Sequence, residues 1–167
     1  MRSKERSLVV AKNINVVVVS VGGASTGVEG RSGDLVKESL ERGGHITVRR
    51  VSVRNDLHEV QRTVREGIED RQIGAIVIVG GTGLAKDDVT LEAIEPFEEK
   101  SIPGFGEALR QLSASTHGQE AILVRGTAFV SERKIVFCIP ASEDLAQCVA
   151  DRLIGPVLEK AIGDAAR

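Results

Sequence analysis

Residues Gly74–Asp88 read GAIVIVGGTGLAKDD, and the fold turns on how this stretch is read. Its first half, Gly74–Val79, is a continuous β-branched run without the polar alternation of a half-exposed strand. Such a run suits a strand covered by helices on both faces of a parallel sheet. Its second half, Gly80–Asp88, is a glycine-rich turn closing on two carboxylates. Upstream, Ile14–Ser20 (INVVVVS) is a second run of the buried kind, while His45–Val53 (HITVRRVSV) alternates and predicts a strand nearer an edge. Between these strands Leu57, Val60, Val64 and Ile68 recur at helical spacing, and Leu35, Val36 and Leu40 give a shorter stripe that stops at Gly43-Gly44. The order strand–helix–strand–helix–strand predicts right-handed crossovers and a layered α/β fold.

Downstream, a helix near Thr90–Ile94 is stopped by Pro96. A second short helix is predicted over Glu107–Leu112, after a turn at Pro103–Gly106. Ala121–Val130 and Lys134–Ile139 read as strands joined in an antiparallel hairpin across Ser131–Arg133, which makes the sheet mixed. Ser142 is a candidate N-cap for a helix carrying Leu145, Val149 and Leu153, broken at Gly155-Pro156 before a short C-terminal helix. The expectation is one domain over residues 13–167, preceded by an N-terminal extension over 1–12.

Composition narrows the function. A formal net charge of −2, with Trp and Tyr absent and only four Phe, offers neither a cationic surface for a phosphate backbone nor stacking platforms for bases. Nucleic-acid binding is therefore not expected. Cys138 and Cys148 are too few for a disulfide framework or zinc site and read as reduced core thiols. The longest apolar runs fall far short of the ~20 residues that span a bilayer, and Met1–Lys12 lacks the apolar core of a signal peptide. A cytoplasmic protein with no membrane association is expected.

In an open α/β sheet, ligands bind outside the carboxyl ends of the strands. Two glycine-rich segments fall there, Val21–Gly33 (VGGASTGVEGRSG) and Gly80–Asp88. Glycines let successive N–H groups converge on an anion, and they equally serve a tight strand–helix turn; composition leaves both readings open. Neither segment ends in the Gly-Lys-Ser/Thr of a P-loop or forms a dinucleotide fingerprint. Asp87-Asp88 could cap a helix or hold magnesium, which needs one or two carboxylates plus substrate phosphates. Asn55-Asp56 likewise could cap the helix from Leu57 or offer a further oxygen. Glu107, Arg110 and Arg125 could touch a ligand or form surface ion pairs. His45, His58 and His117 lack metal-ligand spacing, and Ser20, Ser32, Ser113 and Ser142 lack a base partner for a hydrolase triad.

Gly80 through Ser113, GGTGLAKDDVTLEAIEPFEEKSIPGFGEALRQLS, resembles the signature region of the molybdopterin-binding MoaB/Mog family. Gly80, Gly81, Thr82, Gly83, Asp88, Val89, Thr90, Gly104, Phe105, Gly106, Glu107, Arg110 and Ser113 match that pattern. Similarity continues at Ser25-Thr26-Gly27, Gly33, Gly44-His45, Arg125, Pro140 and Ser142. The resemblance implies a three-layer α/β/α sandwich with a mostly parallel, mixed central sheet, and self-association as a trimer or hexamer. It implies a role in molybdenum cofactor biosynthesis, in which molybdopterin is bound and its phosphate receives AMP from ATP with Mg²⁺ as cofactor. Carried over, Gly80, Gly81, Thr82 and Gly83 would cradle an anion, Asp88 would hold the metal, and Asp88 with Asp56 would be catalytic. Glu107, Ser113, Arg125 and Ser142 would line or support the pterin. The sequence departs from the pattern at Asp87, where the family has Arg, and at Val21 and Gly22, where it has a Ser-Asp pair. Asn55 stands where catalytic members have an acid, unless a one-residue shift supplies Asp56. Val124 and Ala141 replace a Ser and a Gly. These departures imply an alternative, a member that binds a pterin or related anion without transferring AMP.

Overall fold

The computed structural model describes residues 13–22 and 28–167. Six strands form one sheet in the order β2-β1-β3-β6-β5-β4. β1 (Asn15–Val21), β2 (Ile46–Val53), β3 (Ala75–Val79) and β6 (Lys134–Ile139) run parallel, and β5 (Thr127–Ser131) and β4 (Lys100–Ser101) continue the sheet antiparallel. In the centre, Val16–Ser20 lie opposite Ala75–Val79, which lie opposite Ile135–Ile139. All three segments are buried, which is why neither β1 nor β3 alternates: both faces of each are covered.

The faces carry separate apolar layers. Val16, Val18, Val77 and Phe137 pack with Leu40 of α1 (Val28–Arg42), Leu109 of α4 (Pro103–His117), Val149 of α5 (Glu143–Val149) and Leu158 of α6 (Leu158–Ala165). Val17, Val19, Ile76 and Ile78 pack with Val60, Val64 and Ile68 of α2 (Leu57–Glu69) and Ile94 of α3 (Thr90–Ile94). The three-layer α/β/α sandwich with a mixed sheet is the architecture anticipated. No helix among the described residues is long and apolar enough to cross a membrane.

Local differences have physical causes. α1 begins at Val28, so Gly30–Gly33 belong to the helix rather than to a loop. A Cβ at Gly33 would collide with the Arg50 guanidinium and Ser20 Oγ; this glycine lets Arg50 reach α1, where it donates to the Gly30 carbonyl at 2.8 Å and to Asp34 at 3.2 Å. Ser25-Thr26-Gly27 and the 1–12 extension lie outside the described residues. α4 starts at Pro103 and not at Glu107, because proline, lacking an N–H, suits a first helical turn. Ala121–Leu123 form a 3₁₀ turn, and β5 begins only at Thr127. Gly126 separates them, where a Cβ would strike Leu109 and sit 3.0 Å from the Cys138 carbonyl. Gly155-Pro156 does not break the chain's last helical stretch. A π turn over Ala150–Ile154 widens the path so that the Gly155 N–H donates to the Ala150 carbonyl, and Pro156 enters a 3₁₀ turn. β4, two residues long, left no pattern to read.

Candidate functional site

The loop from Gly80 to Val89 leaves β3 at the carboxyl edge of the parallel strands. Gly80 and Gly81 both have positive φ, 101° and 66°, so the chain turns sharply off the strand where glycine is the least strained choice. The Gly80 N–H donates to the Ile139 carbonyl of β6 at 2.9 Å. Thr90, fully buried at the start of α3, holds the turn from behind. Its N–H donates to the Gly81 carbonyl at 3.0 Å, and its hydroxyl to the Gly80 carbonyl at 2.9 Å. Among the described residues, no protein group accepts from the amides of Gly81, Thr82, Gly83 or Leu84.

Asp88 is not a helix cap. The residue preceding α3 is Val89, and no side chain caps that helix. The Asp88 carboxylate turns back on its own loop, accepting from the Ala85 N–H at 3.2 Å and from the Asn55 carboxamide at 3.3 Å. Asn55 Oδ1 is buried there without a donor among the described residues. Asp56, by contrast, is a true N-cap of α2, with Oδ1 2.9 Å from the Glu59 N–H. That hydrogen bond holds its carboxyl below the ordinary aspartate value. The two neighbours thus do different work: Asn55 faces the glycine loop, and Asp56 serves the helix.

Arg125, just before β5, reaches across to the same loop. Nε donates to the Thr82 carbonyl at 3.1 Å, while Nη1 and Nη2 grip Glu92 in a bidentate pair at 2.7 and 3.0 Å. The guanidinium therefore braces the loop, with its charge balanced by Glu92. Asp87 and Lys86 are exposed beyond it.

The remaining predicted residues divide. Ser142, after β6, lines a hollow of about 190 Å³ between the end of α4 and the start of α5, with Thr116, His117, Asp144, Cys148 and Arg152 on its walls. Although Ser142 occupies the N-cap position, its hydroxyl makes no capping bond. Ser113 is fully buried beneath this hollow, 3.3 Å from His117 Nδ1. Glu107 is exposed on the first half of α4 and shares neither a bond nor this hollow with the other predicted residues. The structure thus gathers Gly80–Gly83, Asp88 and Arg125 at one lobe, and Ser142 and Ser113 at a second. Both lobes lie off the carboxyl ends of neighbouring strands, since Gly80 follows β3 and is bonded to the last residue of β6, from which the chain runs to Ser142.

Several participants escaped the sequence reading. Thr90 stands within the matched motif but resembles any residue at a helix start. Glu92 becomes meaningful only once Arg125, far along the chain, is brought beside it. Asp144, Cys148 and Arg152 fall at intervals of four, a helical spacing that could have placed them on one face.

The family model for a probable molybdopterin binding domain matches residues 15–160. Among curated relatives, the molybdenum cofactor biosynthesis protein B of Bacillus subtilis (strain 168) is 38% identical over 142 residues, covering 84% of each chain. That of Escherichia coli (strain K12) is 26% identical over 144 residues, 86% of this chain and 85% of its own. A crystal structure of molybdenum cofactor biosynthesis protein B superposes with a TM-score of 0.88 at 30% identity, over 94% of this chain and 98% of that one. The tungsten cofactor synthesizing protein MoaB from Pyrococcus furiosus gives a TM-score of 0.80 at 27% identity, over 93% and 99%.

Proposed function

The chain belongs to the molybdopterin-binding MoaB/Mog family of molybdenum cofactor biosynthesis, and we propose that it transfers AMP from magnesium-ATP to the phosphate of bound molybdopterin. The observation that carries this reading is the Gly81–Leu84 loop, whose amides have no protein acceptor among the described residues and lie beside the Asp88 carboxylate. Converging amides at a positive-φ glycine turn form an anion cradle, and a carboxylate at its rim is otherwise a repulsive neighbour for phosphate. A divalent cation reconciles the two.

The donor set fits magnesium, a hard ion that takes oxygen ligands and is usually held by one or two carboxylates and substrate phosphates. Each Asp88 oxygen carries one protein donor and keeps lone pairs to offer. Asn55, whose Nδ2 meets Asp88, carries a further oxygen, Oδ1, on the side facing Gly81. Asp88 would therefore hold the metal, which would neutralise charge on the transferring phosphoryl group. In the transfer, a phosphate oxygen of molybdopterin attacks the α-phosphorus of ATP. The α–β bridging P–O bond breaks, and its electron pair leaves with pyrophosphate. Gly81–Gly83 would bind and orient phosphate, Thr90 and Arg125 would keep the loop in place, and Ser142 would border the pterin.

Incubation of the purified protein with molybdopterin, Mg²⁺ and ATP, followed by quantification of bound and adenylylated pterin, tests the reading. Asp88→Asn is expected to abolish product while leaving the circular dichroism spectrum and melting temperature intact; full activity in that variant would remove Asp88 from the mechanism. A second reading, pterin binding without transfer, is favoured by the carboxamide of Asn55 facing Asp88 and by the engagement of Asp56 in capping. It predicts bound pterin and no adenylylated product. Self-association as a trimer or hexamer belongs to the same proposal, and sedimentation velocity on the full chain tests it.

A further inference from the structure

We infer that Glu92 is a positioning residue for anion binding, a role that rests on the glycine loop being the phosphate cradle of the proposed reaction. Through Arg125 it fixes the Thr82–Gly83 peptide so that the Gly83 N–H is presented to phosphate.

A trans peptide is planar, and its N–H points away from its C=O. No peptide bond among the described residues is cis, so a group that grips a carbonyl of the loop also aims the amide of the following residue. Three consecutive carbonyls are gripped. The Thr90 hydroxyl donates to Gly80 at 2.9 Å, the Thr90 N–H to Gly81 at 3.0 Å, and Arg125 Nε to Thr82 at 3.1 Å. The amides aimed by these contacts are those of Gly81, Thr82 and Gly83. None of the three has a protein acceptor among the described residues.

The grips differ in stiffness. Thr90 is fully buried and holds its two peptides with a short side chain and a backbone amide. Arg125 holds the third from the end of a long side chain, 30% exposed, whose rotamer freedom is costly to restrict. Glu92 supplies the restraint. Its two oxygens accept from Nη1 at 2.7 Å and Nη2 at 3.0 Å, a fork that sets the plane and direction of the guanidinium and leaves Nε for Thr82. Glu92 stands two residues after Thr90 on α3, whose Ala93 and Ile94 are anchored in the apolar layer beneath. All three grips therefore trace to one helix.

A plain surface ion pair would act on the site through charge alone, and the two roles predict opposite signs. By charge alone, removing a carboxylate near the loop strengthens anion binding; removing the restraint on Arg125 weakens it. Isothermal titration calorimetry of the full-length protein with inorganic pyrophosphate, the leaving group of the proposed transfer, in the presence of Mg²⁺ reads that sign. Glu92→Gln is expected to raise the Kd by about tenfold, what one hydrogen bond contributes at most. Its melting temperature should barely move, because exposed ion pairs add little to stability. Arg125→Lys keeps the positive charge but loses the planar fork that serves Thr82 and Glu92 together, and should weaken binding by a similar factor. Combining the two should add little to either, since both act through one contact. A Kd unchanged or lowered in Glu92→Gln, full affinity in Arg125→Lys, or multiplicative losses in the double variant would overturn the inference. Absence of pyrophosphate binding in the wild type would overturn the cradle and this role with it. Adenylyl transfer by the wild type with affinity unmoved in both variants would reject the role of Glu92 alone. Weakened binding in both variants, with no transfer by the wild type, would reject only the enzymatic reading.

Discussion

At the scale of single residues, the candidate site depends on atoms that are missing as much as on those present. Gly81 lies at a φ of 66°, and a Cβ there would collide with Thr90 Oγ1 and stand 2.8 Å from Asn55 Oδ1. Gly81→Ala therefore meets both the left-handed backbone penalty, about 1–2 kcal/mol for an L-residue, and a clash with the hydroxyl that fastens the turn. Urea denaturation should show a loss of at least ~1–2 kcal/mol. Gly104→Ala, in the first turn of α4 where an added Cβ meets nothing within 4 Å, should be neutral or slightly stabilising. Asp56 makes a different prediction. Its carboxyl is lowered chiefly by the Glu59 amide that donates to it. A lowered folded-state value means that the cap stabilises above the unfolded value and is lost as pH falls through the folded one. Asp56→Ala should thus melt below the wild type at neutral pH, and the two melting temperatures should converge once the pH is well below the ordinary aspartate range. A constant gap across that window would assign the stabilisation to something other than the ionised cap.

At the scale of elements, the β5–β6 hairpin is the clearest departure from local preference. Its two-residue turn, Glu132-Arg133, holds non-glycine residues at φ of 45° and 66°, a geometry for which Asn-Gly is the favoured pair. Replacing the pair by Asn-Gly should raise stability by roughly 1 kcal/mol, read as a higher urea midpoint with an unchanged slope. The hairpin is visible in the sequence because Ile135–Ile139 is apolar throughout and ends at Pro140. Its true start at Thr127 was not, because Ala121, Ile122 and Leu123 are as apolar as a strand. Only the packing of Gly126 against Leu109 and the Cys138 carbonyl marks where extended chain begins. The same holds for α4. Pro103 was read as a turn and is a helix N-terminus, a choice that local sequence allows both ways. Periodicity identified the elements that bury a whole stripe, such as α2, and missed β4, whose two residues have no period at all.

At the scale of the molecule, the layered architecture could be inferred because the apolar runs of β1 and β3 demand cover on both faces, and only helices between parallel strands provide it. The candidate site is legible only in part. The glycine loop and Asp88 are contiguous and conform to a motif, whereas the Arg125–Glu92 brace and the hollow around Ser142 join segments far apart in the chain, which a linear pattern cannot register. The two cysteines turn this architecture into a measurement. Cys138 sits in β6 between β3 and β5, opposite Ile78 on one side and Thr127 on the other, with no exposed surface. Burial also pushes its thiol up, and the thiolate is the reactive form. It can react only when the centre of the sheet opens, and the central strands belong to the last unit to open. Cys148, partly exposed on α5, needs no such event. Timed alkylation with mass spectrometry should therefore show one thiol modified quickly in the native protein. The slow modification of Cys138 should report an opening free energy equal to the global stability from urea denaturation. If Cys138 reacted well ahead of global unfolding, the β6–β5–β4 side would open as a separate unit. The two apolar layers would then not form a single cooperative core.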